Sequence, residues 1–113
     1  MKILNITKNT VLADDVEIAS TALKRMIGLL GKDNISAGNA LVLMPCDSIH
    51  TFFMRFPIDV LFVDKSNKII KAVKAIRPFR LTRVYFRSNY CVELPVGSID
   101  AANTAEGDVI RME

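Results

Sequence analysis

A chain of 113 residues, half of them hydrophobic and 24% charged, is long enough to bury one core and too apolar to be disordered. No apolar run approaches the roughly 18 residues of a membrane-crossing helix, and Met1–Thr10 lacks the apolar centre of a signal peptide. Two cysteines are too few for a disulfide framework, so a single domain, residues 1–113, is expected in a reducing cytoplasm with both thiols free. The net charge of +3 is unevenly spread. Lys65, Lys68, Lys71, Lys74, Arg77, Arg80, Arg83 and Arg87 share the segment 65–92 with no acid. The rest of the chain carries seven basic against twelve acidic residues. Such asymmetry points to an anionic partner.

In chain order, Lys2–Lys8 reads as a first strand, Asn9-Thr10 as a turn, and Val11–Ala19 as a second strand with an irregular point at Asp14-Asp15. Leu23, Met26, Ile27 and Leu30 then fall at helical spacing and make one apolar stripe. Ser20 or Thr21 can cap the start of this helix and Gly31 its end. Gly28 falls inside the helix, which costs roughly 1 kcal/mol relative to Ala. Close approach of another backbone would account for it.

Lys32–Asn39 is a polar loop, and Ala40–Met44 is a short strand ended by Pro45. Ile58–Val63 is apolar on both faces apart from Asp59, which predicts a strand covered on both sides. Asp64–Lys68 suits a hairpin loop with Asn67 at a left-handed position. Ile69–Ile76 is the return strand, Tyr90–Leu94 another, Ser98–Thr104 a helical turn, and Val109–Met112 a last strand.

The block from Pro45 to Asp64 concentrates uncommon residue types, among them the single histidine, His50, and four of the six phenylalanines. Cys46 with His50 could activate a thiolate, but only if a turn brings them together. Residues four apart on a strand share a face at about 13 Å. A metal centre needs at least three protein ligands, and one histidine with two cysteines does not supply them without recruiting Asp47, Asp59 or Glu93. Asp59 shares a face with Leu61 and Val63, so its carboxylate needs Arg55, His50 or backbone N–H groups as a partner. The stretch Arg77–Arg87 interleaves arginines with Phe79, Tyr85 and Phe86, as a nucleic-acid surface would. Its basic residues recur every third position and line neither one helix face nor one strand face. The rings are therefore expected in the core, beneath a solvated basic surface.

Several segments together resemble a known family. They are Arg25-Met26-Ile27-Gly28-Leu29-Leu30-Gly31, the run Ser48–Val60, Pro78-Phe79-Arg80, Glu93-Leu94-Pro95-Val96-Gly97 and Gly107-Asp108. The chain resembles the domain-of-unknown-function 192 family over about residues 10–113. Tryptophan often stands in that family where this chain has Phe53 and Phe79. The resemblance implies a compact, β-rich α+β domain and carries no known reaction or cofactor.

The expected fold is therefore α+β and β-rich, a small barrel-like, mostly antiparallel sheet packed on one main helix near Thr21–Leu30. The expected function is that of a non-enzymatic ligand- or partner-binding accessory protein without cofactor or metal. Its partner would be an anionic small molecule or a protein. The expected site comprises His50, Thr51, Phe53, Arg55 and Asp59, with Arg80 and Glu93 as neighbours, and no catalytic residue. His50 and Thr51 would orient a polar group, Arg55 would hold an anion or Asp59, and Phe53 would form a wall. Two alternatives stay open. One is a hydrolase or transferase using Cys46 or Asp59 with His50, and the other is nucleic-acid binding through residues 65–92.

Overall fold

The computed structural model describes residues 1–113 as two sheets with two short helices. Strands β1 (Ile3–Asn5), β2 (Thr10–Ala13) and β8 (Ile110–Met112) form a three-stranded sheet in the order β2-β1-β8. Strands β3 (Asp15–Ala19), β4 (Asn39–Leu43), β5 (Ile58–Val63), β6 (Ile69–Ile76) and β7 (Tyr90–Pro95) form a five-stranded sheet in the order β3-β4-β7-β5-β6. Only β3 and β4 pair in parallel; every other pairing is antiparallel. The β-rich α+β class holds, and the sheets remain open rather than closing into the expected barrel.

The break at Asp14 is larger than the expected bulge. Residues 10–19 form two strands in different sheets, because the N–H groups of Asp14 and Asp15 both turn to the carbonyl of Gly38. Strand β5 is buried along its whole length, as its unbroken apolar run requires. The return strand β6 also forms, and the loop before it is fixed by Asp64 Oδ1, which accepts from Ser66 N and Lys68 N.

The five-stranded sheet has a core on each face. On one face Ala40, Val42, Leu61, Val63, Val92 and Leu94 pack with Ile3, Leu12 and Ile110 of the smaller sheet, and with Ile99 of α2 (Ser98–Ala101). On the other face Leu41, Leu43, Ile58, Val60, Phe62 and Cys91 meet Leu29, Ile49 and Met54 from irregular segments. Tyr85 lies on Phe62 with ring centroids 4.6 Å apart. Loops, not a helix, cover this second face.

The main helix departs most from expectation. Helix α1 spans only Ala22–Ile27, and none of its residues is buried. Thr21 caps it by accepting from Lys24 N, as the sequence suggests. Gly28 ends it, with φ 49° and ψ −122°, a conformation restricted to glycine. Leu23, Met26 and Ile27, three of the four residues of the apolar stripe, stand in solvent. The chain therefore turns one residue after Ile27, and its inward packing comes from Leu29 and Leu30 beyond the turn.

Candidate functional site

Register decides which carboxylate faces which core. On the β5–β7 pair Asp59 lies opposite Leu94 and Val60 opposite Glu93. Directly opposed residues share a face of the sheet, so the side chains of Asp59 and Glu93 project in opposite directions.

Glu93 points to the loop-covered face, where it lines a cavity of about 70 Å³. The other walls are Arg25, Met26, Ile27, Gly28, Leu29 and Leu30 around the end of α1, with Leu43, Ile49, His50 and Met54. Glu93 is only 3% exposed, and its carboxyl makes no hydrogen bond within the chain. Because no fully enclosed side-chain polar atom lacks a partner, its oxygens keep contact with the open cavity. Burial pushes its pKa up to about 7, with no opposing contribution from a nearby cation. The turn at positive φ, not a close approach, requires Gly28. A Cβ there would meet Arg25 O at 3.6 Å and Glu93 Oε1 at 3.9 Å, both ordinary contact distances, so the tight backbone approach expected from the sequence is absent. Arg25 reaches the carbonyls of Ser20 and Met44 at 3.2 and 3.4 Å. His50 is exposed and stacks on Phe52 at 5.3 Å.

Asp59 is fully occupied on the opposite face. One oxygen accepts from Ala75 N at 2.9 Å, and the other accepts from Gly97 N and Ile99 N, each at 3.1 Å. The N–H of Ala75 belongs to an irregular point of β6, where the register with β5 shifts between Ile58 and Val60. Asp59 thus ties that bulge to the start of α2, using backbone N–H groups as the sequence allowed. Arg55 does not reach it, and instead pairs with Asp33 at 2.7 Å. Thr51 is buried and also fully used. Its hydroxyl donates to Arg77 O at 2.6 Å and accepts from Arg80 N at 2.9 Å. Its own N–H donates to Arg80 O, and its carbonyl accepts from Phe79 N.

Of the seven expected residues, His50 and Glu93 therefore line one cavity, and Thr51 anchors the loop that brings His50 there. Phe53 lies outside, edge-on to Phe79 at 5.7 Å, with Arg80 next along the chain. Arg55 is at the surface and Asp59 on the far face. Arg25, Met26, Ile49 and Met54 line the cavity without having been singled out as site residues. All four lie in segments that carry the family resemblance, Arg25 and Met26 in the block with Gly28, and Ile49 and Met54 in the run Ser48–Val60.

Residues 3–112 match the DUF192 family, described as "Uncharacterized ACR". The chain belongs to that family. It is 37% identical to a UPF0127 protein of Thermococcus sibiricus, over 98% of this chain and 74% of the relative. It is 32% identical to a UPF0127 protein of Pyrococcus horikoshii, over 96% of each. Two solved structures share the fold. A protein of unknown function from Novosphingobium aromaticivorans superposes with a TM-score of 0.84 at 14% identity, over 98% of this chain and 82% of that one. A putative transcription regulator from Sinorhizobium meliloti gives 0.80 at 18%, over 97% and 89%.

In this DUF192 chain both cysteines are free. The Cys46 thiol donates to Ser48 O at 3.2 Å, and a hydrogen bond from Cys91 lowers its pKa. Burial, followed by the interaction with Cys46, raises that of Cys91. No group of three metal-ligating side chains comes together, and no helix is long and apolar enough to cross a membrane.

The aromatic residues correct a further expectation. Tyr90 is buried and Tyr85 half-buried, but Phe79 is 57% and Phe86 89% exposed. The core is filled without them, because Phe62 and the branched aliphatics of β4, β5 and β6 close the second face.

Proposed function

We propose that this chain is a non-enzymatic binding domain of the cytoplasm, folded as one unit over residues 1–113. It takes the tip of a ligand, or of a partner's side chain, into the cleft between α1 and the 49–54 loop. One observation carries this reading: Glu93 is a nearly buried carboxyl that has no hydrogen-bond partner within the chain and opens to solvent at a small cavity. Such a group is costly to leave unmatched, and a ligand that matches it gains what the empty site lacks. A cavity of about 70 Å³ admits a few heavy atoms and no large cofactor. Its lining of leucine, isoleucine and methionine suits a narrow apolar stem.

Near neutral pH a carboxyl with a pKa of about 7 is half protonated, and then offers one donor and one acceptor. An amide or carboxyl tip presents the complementary pair. His50 and Arg25 at the lip suit an acceptor or anionic group further out, in keeping with an anionic small molecule or a protein partner.

Butanamide, butanoate and butylamine serve as probes at pH 6.5, read by amide resonances of Gly28, Ile49 and Glu93. The amide or the acid should move those resonances, and Glu93→Leu should abolish the movement while the fold persists. Silence with all three probes, or shifts that survive Glu93→Leu, would remove the reading.

A further inference from the structure

The connection from β6 to β7 carries Arg77, Arg80, Arg83 and Arg87, and none of them forms an ion pair. Between them Phe79, Leu81, Val84 and Phe86 stand exposed. The objection from periodicity does not apply to this segment. It is neither helix nor strand, so residues three apart need not diverge onto different faces.

Two further features concern Phe53 and Phe79. Both hold left-handed backbone, with φ of 64° and 62°. For a bulky aromatic residue this is strained, and such strain persists where the surroundings enforce it. Here the enforcement is the hydrogen-bonded junction at Thr51, whose carbonyl accepts from Phe79 N. The strain serves no burial, because Phe53 is 76% exposed and its ring meets edge-on that of Phe79, itself 57% exposed.

The connection also has a defined length. It leaves β6 at Ile76, opposite Ile58, and returns where Asn89 N donates to Val63 O. Phe79 and Phe86 thus lie toward opposite ends of β5, a strand of six residues and about 17 Å. Along the chain of this connection rings and arginines alternate instead of separating into an apolar block and a basic block. Alternation suits a chain of bases and phosphates, and a lipid surface would favour the separated arrangement.

We propose that this surface binds single-stranded nucleic acid. Phe53, Phe79 and Phe86 stack on bases, and Arg77, Arg80, Arg83 and Arg87 meet phosphates. The proposal is independent of the Glu93 cleft.

The test is fluorescence anisotropy of the full chain with labelled 20-nucleotide oligo(dT) and oligo(rU). Controls are a duplex of the same length and vesicles of phosphatidylcholine with phosphatidylglycerol. Four phosphate contacts predict about 50-fold weaker single-strand binding at 200 mM than at 50 mM salt. Arg80→Ala with Arg83→Ala should flatten that dependence. The double variant Phe53→Gly, Phe79→Gly relieves the left-handed strain, so it should melt no lower than the parent and yet bind at least about tenfold more weakly. Tighter binding to duplex than to single strands, binding to vesicles alone, no binding at 50 mM salt, or full affinity in the glycine variant would each overturn the proposal.

Discussion

Asp59 and Glu93 stand one register position apart on neighbouring strands, Asp59 opposite Leu94 and Glu93 opposite Val60. That single step places two buried carboxylates on opposite faces of one sheet and gives them different chemistry. Asp59 is surrounded by N–H donors, and its charge is matched. Glu93 has none, and its environment favours the protonated form. Asp59 therefore acts as a structural anchor, while the carboxyl of Glu93 has no partner within the chain.

Replacing Asp59 by Asn tests the anchor. The substitution sets an NH2 group against N–H donors from Ala75 or from Gly97 and Ile99, so at least one buried donor loses its acceptor. A loss of about 2–4 kcal/mol is expected in urea denaturation. Probe-induced shifts at Gly28 should persist in the folded variant, because the cleft lies on the other face. A variant as stable as the parent would show that the three contacts contribute little.

Much of the fold is legible in the sequence. The unbroken run of β5 requires cover on both faces, and Asp64 with Asn67 marks the hairpin that turns β6 back. Two readings failed because they depend on distant partners. The stripe Leu23-Met26-Ile27-Leu30 has helical spacing, but spacing cannot reveal that Gly28 turns the chain before the stripe meets a core. Residues 11–19 read as one strand with an irregular point, but the carbonyl of Gly38, more than twenty residues away, splits them at Asp14. The site is legible to the same degree. Glu93 is an acid inside an apolar run and is therefore conspicuous, while its separation from Asp59 depends on a register that no local pattern prints.

The exposed stripe of α1 leads to a second prediction. Met26 is 69% exposed, and Leu23 is nearly as open. Leu23→Ala and Met26→Ala should each change stability by no more than about 0.5 kcal/mol. Phe62→Ala, in the fully buried middle of β5, should cost about 3–5 kcal/mol. Amide exchange in α1 should also be much faster than in β5, since a six-residue helix without buried side chains opens locally. A loss of 2 kcal/mol or more at Met26 would indicate that the helix packs in solution against a surface it does not touch in this structure.

Glu93 makes stability depend on pH in a direction opposite to that of most carboxylates. Its folded-state pKa of about 7 lies above the ordinary 4.5, because burial penalises the charge. The folded chain therefore binds this proton more tightly than the unfolded chain does. Below about pH 4.5 both states hold it, and the group imposes no charge-burial cost. Stability then falls as pH rises through the interval from 4.5 to 7, and the loss levels off above, at roughly 3 kcal/mol. Asp108 acts the other way. Burial alone would raise its pKa, but hydrogen bonds from Asn5, Lys8 and Ala105 N outweigh that and hold it low. Its contribution is present at neutral pH and disappears only in acid. The two are separated by Glu93→Gln, which leaves Asp108 untouched and cannot ionise. Urea denaturation of parent and variant should give their most similar stabilities near pH 5 and a widening advantage for the variant up to about pH 8. A difference that stays constant across that range would mean that Glu93 titrates normally, and the cleft would then lose the protonated carboxyl on which its proposed ligand depends.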